Sequence, residues 1–204
     1  MPTASSASSA KSAVRQAILA GRRLAWGRSG EPEQRSHARD AHLLTWGPLR
    51  SAVRVASYVA LATEPATAGL HAALLGRGVE LCLPRLRPDA ALDLVRWSGQ
   101  PLPPGPRGVV EPPGDPLPAS WPQVVVLPAL AVDAATGVRL GRGGGGYDRL
   151  LSTLPADTVL VALLGDRSEL QDLSAYAEWH DRPVQAAATP DGVHPCGQVP
   201  HHDG

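Results

Sequence analysis

The chain has no phenylalanine, a single lysine, two cysteines and no net charge. Without Phe, a core must be built from Leu, Val, Ala and a few Trp. Apolar residues make up 43% of the 204, enough for one domain. Basic and acidic residues balance and no long basic run appears, so nothing marks a nucleic-acid or membrane surface. The longest apolar run, Val124 to Val132, is interrupted by Pro128 and falls far short of the ~20 residues of a membrane span. The opening MPTASSASSAKSAVR has no apolar stretch of the secretory kind, and the first acidic residue is Glu31. Its Ser and Ala content suits a disordered leader over residues 1–10. Cys82 and Cys196 lack metal or redox spacing and read as free thiols in a reducing cytosol, so a cytoplasmic protein is expected. The single lysine is Lys11, in a chain that otherwise uses Arg for its positive charge.

What is present is an alternation of two periodicities. Val14, Ala17, Ile18, Gly21 and Ala25 follow helical spacing, so Ser12 to Trp26 reads as a helix, with Lys11 and Arg15 on one face at its start. Pro32 suits the first turn of a second helix reaching Trp46. Ser51 to Leu61 reads as a strand, and Thr63-Glu64-Pro65 opens a third helix that ends at Gly76 or Gly78. Val79 to Leu83 is a strand closed by Pro84. The Pro- and Gly-rich stretch from Gln100 to Pro122 is loop, with a strand fragment at Val109-Val110. Buried strands follow at Val124 to Leu127, Thr158 to Leu164 and, more weakly, Val184 to Ala188, with a helix from Asp148 between the first two. This order predicts an α/β fold with a mostly parallel sheet covered on both faces, and a flexible tail at 192–204.

The most informative segment is RLGRGGGGYDR, Arg139 to Arg149. Four successive glycines, Gly143, Gly144, Gly145 and Gly146, leave backbone N–H groups bare before a helix N-terminus, an arrangement that suits anionic oxygens. Arg139 and Arg142 add forked cationic donors. Asp148 could hold Mg²⁺ against the same phosphates or simply cap the helix. No Gly-Lys-Ser/Thr follows, so this is not a Walker A loop. Gly141, Gly143 and Gly146 satisfy the dinucleotide pattern G-x-G-x-x-G, and Asp166 lies where a ribose-binding acid would. Against a dinucleotide site, the preceding strand ends near Leu127 and Tyr147-Asp148-Arg149 is bulky after the third glycine.

These residues resemble the 5-formyltetrahydrofolate cyclo-ligase family. That family carries a strand, then Pro-Gly-Leu-Ala-Phe-Asp, then Arg-Leu-Gly-x-Gly-x-Gly-Tyr-Tyr-Asp-Arg; here VVVLPALAVD leads to RLGRGGGGYDR without a gap. Lys11 and Arg15 match its N-terminal Lys-x-x-x-Arg, and YVALATEPAT its strand and Glu-containing turn. VVEP matches its Gly-Ile-x-Glu-Pro stretch, and His180-Asp181 its late His-Asp motif. The resemblance implies a three-layer α/β/α sandwich over residues 11–191, and a monomeric ligase of one-carbon metabolism that uses ATP to close 5-formyltetrahydrofolate to 5,10-methenyltetrahydrofolate, releasing ADP and phosphate. ATP would be held by Lys11, Arg15 and the loop Arg139, Leu140, Gly141, Arg142, Gly143, Gly144, Gly145, Gly146 and Tyr147. The folate would meet Val59, Glu64, Arg142 and the four glycines. Arg142 would be the catalytic charge, and Asp148 and Asp181 would bind Mg²⁺.

The chain departs from the family pattern at Gly146, where an aromatic is usual, and at Val132, Gln123 and Gln185. Two other readings stand beside the enzyme: a non-catalytic folate- or nucleotide-binding relative, suggested by Gly146, and a dinucleotide-dependent oxidoreductase. Trp97 and Trp121 could stack on a pterin or pack in the core.

Overall fold

A computed structural model describes residues 4–105, 109–178 and 181–197. In chain order the helices are α1 (Ala4–Trp26), α2 (Glu33–Thr45), α3 (Gly47–Ser51), α4 (Ala68–Gly76) and α5 (Gly146–Thr153). The strands are β1 (Arg54–Ala56), β2 (Glu80–Leu86), β3 (Leu92–Trp97), β4 (Val124–Pro128), β5 (Ala131–Val132), β6 (Arg139–Leu140), β7 (Val159–Leu163), β8 (Ala186–Thr189) and β9 (Gly192–Pro195).

The continuous apolar run of β4 places it in the middle of the main sheet, where both faces are covered. The seven-stranded order is β3-β2-β1-β4-β7-β8-β9. The five inner strands are parallel, and β3 and β9 close the edges antiparallel. Alternate side chains divide the core. Val124, Val126, Val161 and Leu163 pack with Leu43 of α2, Leu49 of α3 and Leu70 and Leu74 of α4. Val125, Leu127, Leu160 and Ala162 pack on the other face with Leu150 and Leu151 of α5 and with Trp121. Each fully buried Leu or Val contributes roughly 1.5–3 kcal/mol, so a Phe-free core of this size is sufficient. The expected α/β architecture with helices on both faces is the one observed. No described helix is long and apolar enough to cross a membrane. Both cysteines are free and buried, and burial pushes the Cys82 thiol up to about 12 and the Cys196 thiol up to about 11.

Several boundaries differ from expectation. The first helix is already formed at Ala4, within the segment read as a leader, because alanine is the strongest helix former. The strand expected at Ser51 to Leu61 is only Arg54–Ala56. After it the chain leaves the sheet, held by Tyr58 Oη donating to Pro65 O (2.7 Å) and Thr67 Oγ1 donating to Tyr58 O (2.7 Å). The following helix starts at Ala68, not at Thr63. Strand β2 continues through Pro84 to Leu86. Its pairing with β1 ends at Cys82, so the missing N–H of Pro84 has no second strand to serve. Residues 192–195, expected in a flexible tail, form the edge strand β9 after a Pro190-Asp191 turn. Residues 198–204 lie outside the described residues.

Candidate active site

In the sheet β1 and β4 are neighbours, yet the chain passes from β1 outward to β2 and β3 and only then returns to β4. Their carboxyl ends therefore diverge into different connections, the position where open α/β sheets hold ligands. From β1 comes the segment carrying Thr63 and Glu64. From β4 comes a small hairpin, β5 paired with β6, whose second strand delivers Arg139 and the glycine loop.

The loop needs its glycines for conformation as well as access. Gly143 (φ 96°) and Gly145 (φ 66°) occupy left-handed backbone, which costs other residues about 1–2 kcal/mol. Gly145 is the N-cap of α5, which begins at Gly146, two residues before the expected Asp148. A Cβ on Gly143 would lie 3.5 Å from Cζ of Arg15, whereas Gly141 and Gly144 face nothing within 4 Å. The glycines follow β6 and not a core strand, which is not the strand–loop–helix context of a dinucleotide site.

Two cavities meet at this loop. One, of about 250 Å³, is lined by Glu64, Arg142, the four glycines and Tyr147, with Leu86, Ala90 and Leu92 opposite. The other, of about 150 Å³, is lined by Lys11, Arg15, Arg139, Asp148 and Asp181. Arg139 and Asp148 border both. The site residues expected from sequence are thus largely gathered around one loop, with two exceptions. Leu140 borders the second cavity but is 3% exposed and packs in the cluster beneath α1. Val59, half-buried after β1, lines neither cavity.

Hydrogen bonds fix the charged groups. Arg15 Nε donates to Gly141 O at 2.9 Å, tying α1 to the loop. Lys11 pairs with Glu178, whose backbone N–H donates to Asp181 Oδ2 at 2.8 Å. Arg139 pairs with Asp148 and donates to Arg182 O at 3.0 Å. Burial lowers the Arg139 pKa, opposed by Asp148 and Asp181. Arg142 Nη1 donates to Thr63 Oγ1 at 2.8 Å and lies 3.7 Å from Glu64 Oε1. Burial raises the Glu64 pKa, opposed by the Leu61 N–H and by Arg142. Burial and Glu64 together raise Tyr147 far above a free phenol, keeping its hydroxyl protonated. Behind these residues, Arg22 forms a buried two-point pair with Glu169 (2.8 and 2.6 Å) and donates to Thr63 O (3.0 Å) and Ala129 O (2.8 Å). Glu169 Oε2 also accepts from Gly165 N at 2.7 Å. One guanidinium thereby ties together the segments that follow β1, β4 and β7.

Asp148 and Asp181 share a cavity lined by cations, and both act on Arg139. Among the described residues no three His, Cys, Asp or Glu gather as a cluster. Two carboxylates suit Mg²⁺, which fills its remaining positions with water and phosphate oxygens. His180 lies outside the described residues. Sequence reasoning missed Glu178, Thr63 and the hairpin residues Leu86, Ala90 and Leu92. None carries a motif, and the contacts appear only when distant segments meet. Trp121 is core, and Trp97 stacks edge-on against His71 at 5.3 Å; neither lines the two cavities.

A bare glycine loop at a sheet switch point, with cations on one side and a buried carboxylate on the other, defines an α/β protein that can seat two small molecules against one backbone turn. The chain belongs to the 5-formyltetrahydrofolate cyclo-ligase family, whose model matches residues 7–190. A Mycolicibacterium smegmatis protein named 5-formyltetrahydrofolate cyclo-ligase is 35% identical over 190 residues, covering 88% of this chain and 93% of its own. Two solved structures share the fold. The Aquifex aeolicus 5,10-methenyltetrahydrofolate synthetase superposes with TM-score 0.74 at 24% identity, covering 95% of this chain and 99% of its own. The Mycoplasma pneumoniae 5,10-methenyltetrahydrofolate synthetase gives 0.69 at 16% identity, covering 88% and 98%.

Proposed function

We infer that this chain is an ATP-dependent ligase that cyclises 5-formyltetrahydrofolate to 5,10-methenyltetrahydrofolate. Beyond family membership, the observation that carries the reading is the division of space by the glycine loop: a cation-lined cavity on one side, a cavity with a buried carboxylate on the other. ATP phosphates would lie against Lys11, Arg15, Arg139 and the loop N–H groups, and the pterin head against Glu64.

The chemistry follows from that seating. The formyl oxygen attacks the γ-phosphorus, ADP leaves, and the formyl carbon becomes an activated iminium-like phosphate. N10 attacks that carbon and loses its proton; phosphate departs and the five-membered ring is closed. Phosphoryl transfer needs positioning and charge stabilisation more than covalent help. Arg142, on the glycine loop where it lines the cavity that faces Glu64, would supply charge where the formyl oxygen meets phosphate. Glu64, buried and raised, accepts the paired N–H donors of the pterin edge. Tyr147, kept neutral, adds no competing negative charge. Asp148 and Asp181 would hold Mg²⁺, which would neutralise phosphate charge.

The test is growth of the methenyl-folate absorbance band with purified protein, MgATP and 5-formyltetrahydrofolate. Growth that requires ATP, and that Arg142→Ala slows by roughly 100-fold or more, is expected. Binding of both ligands without growth would instead favour a non-catalytic relative.

A further inference from the structure

Arg142 must place its charge accurately, yet glycines flank it. Gly141 precedes it and Gly143 to Gly146 follow, and glycine has the most conformational freedom to lose on ordering. Beyond its chain neighbours, a Cβ on Gly141 or Gly144 would meet nothing within 4 Å, so packing does not hold the loop there. Arg15 ties the loop backbone at Gly141 O, 2.9 Å away. The Arg142 guanidinium is still at the far end of a long rotatable side chain, and that side chain is 39% exposed.

The group that holds the guanidinium is Thr63. Arg142 Nη1 donates to Thr63 Oγ1 at 2.8 Å. Glu64 Oε1, at 3.7 Å, is a charged neighbour beyond hydrogen-bond reach. Thr63 is a fixed post because its own segment is pinned on both sides. Arg22 Nη1 donates to Thr63 O at 3.0 Å. Glu64 closes a turn: its N–H donates to Leu61 O at 2.8 Å, and its Oε2 accepts from Leu61 N at 3.0 Å. Pro65 fixes its own φ. Ala66 is gripped at both backbone groups: its N–H donates to Glu31 Oε2 at 2.9 Å, and its carbonyl accepts from Arg39 Nη2 at 2.7 Å. Glu31 and Arg39 are themselves a buried ion pair. A hydroxyl on such a rigid turn orients a cation without neutralising it, so the charge remains available to phosphate.

We propose that Thr63 is a positioning residue for phosphoryl transfer, acting through Arg142. When the pterin edge engages Glu64, the Thr63 hydroxyl is the partner that keeps the guanidinium aimed at the formyl oxygen and the γ-phosphate. The proposal rests on the ligase reading of the site, with Arg142 as its catalytic charge.

The test is the single-turnover rate of methenyl-folate formation at saturating MgATP and folate. Wild type, Thr63→Val, Arg142→Ala and the double variant close a mutant cycle. Valine keeps the branched shape and lacks the hydroxyl. Thr63→Val should slow the step by roughly 3- to 30-fold, the worth of one hydrogen bond to a part-exposed charge. KM for the folate should change by less than about 2-fold, since Glu64 is untouched and the lost interaction belongs to the transition state. Thr63→Ser, which keeps the oxygen, should recover most of the rate, and Thr63→Ala should behave as Thr63→Val. In the Arg142→Ala background, Thr63→Val should change nothing further, because the hydroxyl then has no guanidinium to orient. A wild-type rate in Thr63→Val and Thr63→Ala would overturn the proposal. So would an equal loss with and without Arg142, or a serine variant as slow as the valine one. No turnover by the wild type would overturn the ligase reading itself, and this proposal with it.

Discussion

Replacing Arg22 by methionine removes the guanidinium that joins three strand ends while keeping much of its volume. Arg22 is 4% exposed and Glu169 6%, so the variant leaves a buried carboxylate whose remaining partner is the Gly165 N–H. Breaking one side of a buried ion pair costs about 3–5 kcal/mol. Against a total stability of about 5–15 kcal/mol, that is a large fraction. At roughly 2–4 °C per kcal/mol for a chain of this length, Tm should fall by about 6–20 °C. Urea denaturation of Arg22→Met, Glu169→Leu and the double variant closes a mutant cycle. Both singles should be strongly destabilised and the double variant less so than their sum, because an apolar pair leaves no orphaned charge. A single Arg22→Met cost below about 1 kcal/mol would refute the reasoning, since it would mean Glu169 does not depend on its partner.

Asp40, 5% exposed, is pushed up by burial to about 6 despite Arg39 nearby. A carboxylate raised on folding stabilises at low pH and loses that contribution as pH rises through the folded value, here between about 4 and 6. Asp40→Asn should therefore gain on the wild type by about 1–3 kcal/mol between pH 5 and pH 8, read from thermal melts across pH; a gap that stays constant would refute this. Glu64 is also raised by burial, and its ionised form is the one that accepts from the pterin. KM for the folate should increase as pH falls through that raised value. Glu64→Gln should bind more weakly but with a flat profile, and an equal slope in both proteins would exclude Glu64 as the titrating group.

The parallel sheet was legible because VVVL and TVLVALL are continuous apolar runs that only a doubly covered strand explains. The glycine loop was legible because four glycines before an amphipathic helix have few other uses. Strand β3 was not: Asp93 and Arg96 interrupt its alternation, and its turn depends on Ala90 in left-handed backbone (φ 63°), which no Gly announces. Strand β9 was hidden by its length and by Pro195 at its end. The segment after β1 looked like continued strand because Tyr58, Val59 and Ala60 are apolar enough for one. Two side-chain hydrogen bonds to backbone carbonyls turn it away and so create the Glu64 side of the site. Arg15 and Lys11 were readable as a helix face, but the partners that orient them, Gly141 and Glu178, are far away in sequence. The Arg22–Glu169 pair could not be anticipated for the same reason, since neither residue stands in a recognisable spacing.

The most direct test of the central claim is the stoichiometry of coupling. ADP, phosphate and methenyl-folate should be quantified in one reaction with MgATP and 5-formyltetrahydrofolate. If one loop seats the phosphate donor against the formyl acceptor, the three products should appear in equal amounts, and none should form without the folate. ATP hydrolysis that runs without ring closure, or ring closure without ADP, would contradict the account.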